Sequence, residues 1–350
     1  MSGGLMRWAR RMLTQLALSR SDAALIKQAG GAPRQARGRT LDPRVQAVEA
    51  KARRRARSDD LSPALLRKQA DLLVDLFGGK AAAGVTWRKI YVPGRSHSVP
   101  AQLYLPQVRD NAAPILVYFH SGGGVVGSVE SCHRLCSLIA KESGAPVLSV
   151  EYRLAPEYRW PAGLEDAQAA YVWAVNQAAR YGAPHGKAAV GGDSMGANFA
   201  AIIAQAGAVG DVPAPTMQLL IYPAVDAASD APSMTEFADS FPATEEVLRY
   251  FLAHYLPDGA DIAHPRVSPG RSGDLSSLPR ALIYTAGFDM LLDQGEDYAD
   301  RLEAAGVKVG RHCFASLPHG FVVFPALSPA VDAACRRIAR ETAAVLKGNA

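Results

Sequence analysis

The sequence predicts an α/β fold: a mostly parallel, eight-stranded sheet flanked by helices, with a helical cap. Three observations lead there. From about residue 85 onward, short apolar runs alternate with helical patterns. Most of those runs are apolar almost throughout, as strands buried on both faces must be. Two segments, 41–77 and 226–270, break the alternation with helices of their own.

The elements follow in order. "VTWRKIYV" (85–92) and "VPAQLYL" (99–105) alternate as hairpin strands, with "PGRSHS" as the turn. "PILVYF" (114–119) is a buried strand ending at His120. An amphipathic helix (130–143), a strand (146–152) and a second helix (163–180) come next. "KAAVG" (187–191) then runs through "GGDSMG" into the small apolar helix 195–208. Strands at 216–222, 280–286 and 307–314 complete eight, with helices at 293–305 and 329–346.

Residues 41–84 read as cap helices, the second opening with Pro63 near its first turn, and 226–270 as a cap insertion carrying "TEEVLRYFLAHYL" (244–256). Its apolar residues Phe237, Phe241, Leu248, Phe251 and Tyr255 are expected over the site. The catalytic core is expected from 85–225 and 271–350, and residues 1–40 as a flexible basic extension.

At 350 residues, 49% hydrophobic and 20% charged, the chain has ample material for a packed core. No apolar run approaches the ~18 residues of a membrane span. The net charge of +5 is uneven. Residues 1–60 hold 14 Lys and Arg against 5 Asp and Glu, centred on 7–11, 34–39 and 51–57, while the remainder is net −4. Nucleic-acid or membrane-surface binding is one reading of these runs, and a solvated arm and helix face is the favoured one; no aromatic interleaving supports base stacking, and no nucleic-acid partner and no stable membrane insertion are expected. The first 20 residues lack an unbroken apolar segment and a clear cleavage site, so no signal peptide is expected. Cys132, His133 and Cys136 have no second ligand pair at metal-binding spacing, so no metal is assigned. Core thiols and a cytoplasmic location fit the four scattered cysteines.

The chemistry centres on Ser194. Gly192-Asp193-Ser194-Met195-Gly196 places a serine between strand and helix, on a turn where glycines must stand because a Cβ would strike the neighbouring chain. Chance yields roughly 0.2 such patterns in a chain of this composition, so the strand–turn–helix context carries the reading. A serine hydroxyl needs a base to take its proton, and the base needs a carboxylate to orient it. Functional groups in such sheets gather beyond the carboxyl ends of strands. That selects Asp289, after "ALIYTAG", and His319, in the loop "LPHGF". Asp226 and Asp293 are the competing carboxylates. His312 is the competing base, though it falls inside a strand. "HSGGGVVG" (120–127) follows a strand and can turn backbone N–H groups toward an oxyanion, joined by the N–H of Met195. It lacks the Lys-Ser/Thr ending of a phosphate loop.

With "HSGGG" (120–124), "EYRLAPEYRWPAGLEDA" (151–167), "GDSMG" (192–196), "DMLLDQG" (289–295) and "HGF" (319–321), the chain resembles the hormone-sensitive-lipase family of α/β-hydrolases, the bacterial family IV carboxylesterases. "LDPRVQAV" (41–48) extends the likeness to about residues 41–345. The resemblance implies an ester hydrolase without a cofactor, in which Ser194 attacks the acyl carbon, His319 passes protons and Asp289 holds the imidazole. It maps the oxyanion donors onto the amides of Gly122, Gly123 and Met195. The "YRLAPE" block is expected to brace the sheet edge near that loop, with Asp193 behind the nucleophile. The family commonly dimerises through the sheet's edge strand, so a homodimer is among the expected partners.

Two departures bear on the acyl pocket. The family writes His-Gly-Gly-Gly and then an aromatic; here Ser121 replaces the first glycine and Gly124 the aromatic. Loss of the ring at 124 is expected to widen the floor, and Met195, where alanine is common, to add bulk. Short- to medium-chain acyl esters, roughly C2 to C8, are the expected substrates. Aryl amides or formamides, cleaved by the same three side chains, are the alternative. A non-catalytic receptor on the same fold is the remoter one, and the presence of His319 counts against it.

Overall fold

A computed structural model describes residues 2–55 and 62–348. The last positions of the basic run 51–57, Ala56 and Arg57, lie outside the described residues, as do 58–61 of the expected cap helices. The chain opens with helices α1 (Ser2–Leu18) and α2 (Asp22–Ala29), a two-stranded ribbon of β1 (Gln35–Ala36) and β2 (Arg39–Thr40), and helices α3 (Pro43–Arg55) and α4 (Pro63–Phe77). The body then runs β3 (Val85–Pro93), β4 (Ser98–Pro106), β5 (Ile115–Phe119), α5 (His133–Ser143), β6 (Val147–Val150), α6 (Ala162–Gln177), β7 (Ala188–Asp193), α7 (Met195–Ala208) and β8 (Gln218–Ile221). Helices α8 (Pro232–Glu236) and α9 (Glu245–Tyr255) fill the next stretch. β9 (Ala281–Phe288), α10 (Leu292–Ala304), β10 (Val309–Pro318) and α11 (Pro329–Leu346) close the chain.

Strands β3 to β10 form one sheet in the order β10-β9-β8-β7-β5-β6-β4-β3. β3–β4 and β4–β6 pair antiparallel and the other five pairs are parallel. Every residue of β5, β6, β7, β8 and β9 is buried, because helices cover both faces. One core cluster packs Leu103, Val117 and Val190 with Leu164 of α6 and Phe199 of α7. The other packs Leu116, Tyr118 and Leu219 with Leu135 of α5 and Ile338 of α11.

Residues 2–40 correct the expectation of a flexible extension. Leu18 and Leu25 are buried in a third cluster with Leu41, Val45, Phe77, Phe237 and Phe324. Arg11 Nη2 donates to the Gly78 carbonyl and Gln15 Nε2 to that of Ala326, both at 2.8 Å. Ser21 caps α2 by accepting from the Ala24 amide. Behind them the Asp42 amide bonds the Ser316 carbonyl of β10 at 3.0 Å.

Candidate active site

The turn from β7 into α7 sets the geometry. Ser194 has φ 55° and ψ −116°, a backbone state that costs a side-chain-bearing residue about 1–3 kcal/mol. Its neighbours hold it there. A Cβ on Gly192 would lie 2.3 Å from the Gly196 carbonyl carbon, and one on Gly196 would lie 2.0 Å from the Phe119 oxygen. The Ser194 amide donates to Ile221 of β8 at 2.9 Å, and its carbonyl accepts from Asn198 at 3.0 Å.

His319 follows β10 directly and reaches both expected partners. Its Nε2 stands 2.9 Å from Ser194 Oγ and its Nδ1 2.8 Å from Asp289 Oδ2. A carboxylate only accepts, so Nδ1 carries the hydrogen and Nε2 is free to receive the serine proton. Asp289 is the first residue after β9, which runs two residues further than expected. Its Oδ1 accepts from the Leu291 amide at 2.8 Å. Ser194, Asp289 and His319 are all buried.

The competitors are engaged elsewhere. Asp226 accepts from Arg271 Nε at 2.7 Å. Asp293 bonds Arg37 and the Ser233 amide. His312 lies within β10 and contacts Arg337 at 3.0 Å. His133 Nδ1 faces the Tyr104 hydroxyl, and Cys132 Sγ faces Ser149 Oγ. Among the described residues no cluster of His, Cys, Asp and Glu could hold a metal ion.

Behind the nucleophile lies a network that sequence reasoning found only at Asp193. This buried carboxylate accepts from the Tyr118 and Tyr222 hydroxyls, both at 3.0 Å. Burial pushes its carboxyl above the ordinary aspartate value, against those two hydrogen bonds. Burial and the nearby carboxylate push both phenols well up, so they remain donors. The Tyr222 ring also lies 4.7 Å from the His319 ring, centroid to centroid.

The loop after β5 meets the site from the other side. Gly122, Gly123 and Gly124 have φ of 123°, 62° and 73°, which turn the chain at each step. Among the described residues, the amides of Gly122, Gly123 and Met195 have no protein acceptor. The "YRLAPE" block holds this loop through Tyr152 Oη, which donates to His120 O at 2.7 Å, and the Ala155 amide, which donates to Gly124 O at 2.8 Å. Arg67 of α4, which sequence reasoning missed, donates to Val125 O at 2.9 Å and Ala155 O at 2.8 Å and pairs with Glu157. That pairing holds the Glu157 carboxyl down, at about 2.

Helix α9 overturns the expectation of a wider floor at Gly124. The Tyr255 ring comes within 2.5 Å of where a Cβ on Gly124 would stand, and Phe251 within 2.4 Å of one on Gly123. The missing ring is supplied from another element. Together these surfaces enclose a cavity of about 700 Å³ reaching Ser194, Met195 and His319. Leu66, Leu73 and Val74 of α4 line one wall, with Phe241, Leu248 and Phe251 on another. Phe237, also expected there, instead packs edge-on against Phe288 at 5.8 Å in the third cluster.

A family model described as the alpha/beta hydrolase fold matches residues 116–323, more than half of the chain. The chain is 38% identical over 296 residues to the carboxylic ester hydrolase LipN of Mycobacterium tuberculosis, covering 81% of this chain and 78% of that protein. It is 38% identical to the ethyl acetate hydrolase of Pseudomonas putida, over 65% of this chain and 72% of the relative. The crystal structure of a thermostable esterase from Pseudomonas putida ECU1011 superposes with a TM-score of 0.80 at 30% identity, covering 88% of this chain and 97% of that one. The open-ended sheet, the serine at its strand-to-helix turn and these relatives agree: the chain belongs to the alpha/beta hydrolase fold family, among the carboxylic ester hydrolases of hormone-sensitive-lipase type.

Proposed function

We propose that the protein is a serine carboxylesterase for short- to medium-chain acyl esters, working through Ser194, His319 and Asp289. The observation that carries this reading is His319 bridging Ser194 Oγ and Asp289 Oδ2 inside a cavity with apolar walls. Ser194 Oγ attacks the acyl carbon as its proton passes to His319 Nε2. The carbonyl oxygen gains the negative charge and takes hydrogen bonds from the amides of Gly122, Gly123 and Met195. The tetrahedral adduct collapses, the C–O bond to the alcohol breaks, and His319 returns the proton to that alcohol. A water then attacks the acyl-serine by the same route and releases the acid.

A cavity of about 700 Å³ suits a small acyl chain and alcohol. The relative named as an ethyl acetate hydrolase supports the short end of that range. Helices α4, α8 and α9 serve as the cap. Two copies would pair through an edge strand of the sheet, β10 or β3. A reducing compartment, the cytoplasm, accords with cysteines that are all free among the described residues. No helix among the described residues is long and apolar enough to cross a membrane.

The test is a chain-length series of nitrophenyl esters, with and without a fluorophosphonate. Rates should peak between acetate and octanoate, with inhibition and labelling both lost in Ser194→Ala. Esterase activity in that variant within about tenfold of the parent would refute the assignment.

A further inference from the structure

Helix α1 leaves a face that the ester-cleaving machinery does not use. At about 100° per residue, Trp8, Met12 and Leu16 fall along one side, with Leu13 beside them. These four side chains are 53 to 69% exposed, whereas Leu18 on the opposite side is buried. Beside Leu18, Arg11 pins the helix to the Gly78 carbonyl, and Gln15, at the edge of the stripe next to Trp8, pins it to that of Ala326. The exposed stripe is therefore held outward on a fixed support. Residues 1–20 contain Arg7, Arg10, Arg11 and Arg20 and no acidic residue, and the first acid in the chain, Asp22, pairs with Arg44.

We propose that α1 is an interfacial helix that seats the protein on an anionic lipid surface. A tryptophan and leucine face beside Arg10 and Arg20, which pair with no acid among the described residues, has the chemistry of a helix lying in the headgroup layer. Its apolar side chains enter the acyl boundary while the guanidinium groups of Arg10 and Arg20 meet the lipid charges. A second copy is a poorer occupant. It would bring two strongly cationic helices together, and four side chains fall well short of the roughly 800 Å² per partner of a stable interface.

The placement has a further meaning, which rests on the proposed esterase reading. α1 lies against α4, and α4 contributes Leu66, Leu73 and Val74 to the cavity beside Ser194. With α1 on the surface, the cavity sits about one helix diameter, ~10 Å, from the headgroups. Acyl esters dissolved in the membrane are then the substrates within reach.

Sedimentation of the full chain with phosphatidylcholine vesicles, with and without phosphatidylserine, tests the docking. The parent should bind the phosphatidylserine vesicles at low salt and lose binding as ionic strength rises. Trp8→Ser with Leu13→Ser and Leu16→Ser should weaken binding by about tenfold or more. Arg10→Gln and Arg20→Gln should each weaken it about fivefold. Thermal unfolding of each variant, unchanged from the parent, shows that the fold is kept without relying on activity. Absence of parent binding to anionic vesicles overturns the proposal, as does equal binding by the triple variant. So does a parent dimer that the triple variant breaks without any lipid binding. Loss of vesicle binding with soluble-ester turnover intact separates this surface from the catalytic reading.

Discussion

The Tyr255 ring, carried by α9, lies 2.5 Å from the point where a Cβ on Gly124 would project. The glycine and the tyrosine occupy one volume between them, and their effects should be strongly coupled. Gly124→Phe alone should be strongly destabilising while still folded, since its φ of 73° and the ring both oppose a side chain. Tyr255→Ala alone should cost about 3–5 kcal/mol through the cavity it leaves. The double variant should be more stable than the sum of the two changes by about 1–3 kcal/mol. A urea-denaturation cycle giving simple additivity would refute the exchange.

Tyr118, on the strand that leads into the loop carrying Gly122 and Gly123, donates to the carboxylate next to the nucleophile. Tyr118→Phe leaves a buried charged acceptor with one donor fewer, at a cost of about 1–3 kcal/mol. Because burial already raises the Asp193 carboxyl, its folded state is favoured below the unfolded aspartate value and loses that advantage as pH rises through the folded one. Removing a donor raises it further. The parent-minus-variant stability gap should therefore be smallest in acid and widen toward neutral pH, read by urea midpoints across that range.

Asp289 and Asp226 both follow strand ends, yet only Asp289 meets His319. Asp289→Asn should lower kcat by about 10³–10⁴-fold, because an amide can no longer impose the Nδ1–H tautomer. Asp226→Asn should stay within about threefold of the parent, since it alters an ion pair with Arg271 and a bond from the Ala228 amide, neither of which touches His319. Equal losses in the two variants would mean the wrong carboxylate has been assigned.

Glu157 is held at about 2 by Arg67, below its ordinary 4.5. Its contribution is present above the unfolded value and disappears as pH falls from about 4.5 to about 2. The pair is largely exposed, so the contribution is at most about 1 kcal/mol. Glu157→Gln should be less stable than the parent by that amount at neutral pH and equal to it at the acid end. A constant difference across the range would remove the ion pair as its cause.

Ser194, Asp289 and His319 were legible in the sequence because each follows a strand end; β7 and β9 read from apolar runs, whereas β10 is mixed and half-buried and runs four residues beyond its expected end. Tyr255 was legible as an apolar residue of the cap over the site; that its ring replaces the aromatic at 124 depends on how α9 folds back over the loop. Tyr118 and Tyr222 read as core strand residues, and nothing in their spacing reveals hydroxyls converging on Asp193. The fold of residues 2–40 was missed for a related reason. Its inward-facing residues, Leu18 and Leu25, stand on two separate helices, Leu18 at the very end of its own, and form no periodic stripe. Their hold comes from distant carbonyls at Gly78 and Ala326.

The register of β5 against β7, with Phe119 opposite Gly192, has a bearing on how this scaffold can diversify. The two segments that flank the reacting carbonyl issue from hydrogen-bonded neighbours, so their separation is a strand spacing of about 4.8 Å. Amino-acid changes in the roof can then reshape what enters without detuning the reaction beneath. Directed evolution toward new acyl groups should accordingly draw its gains from 63–77 and 234–255, and find the sheet ends almost intolerant of exchange.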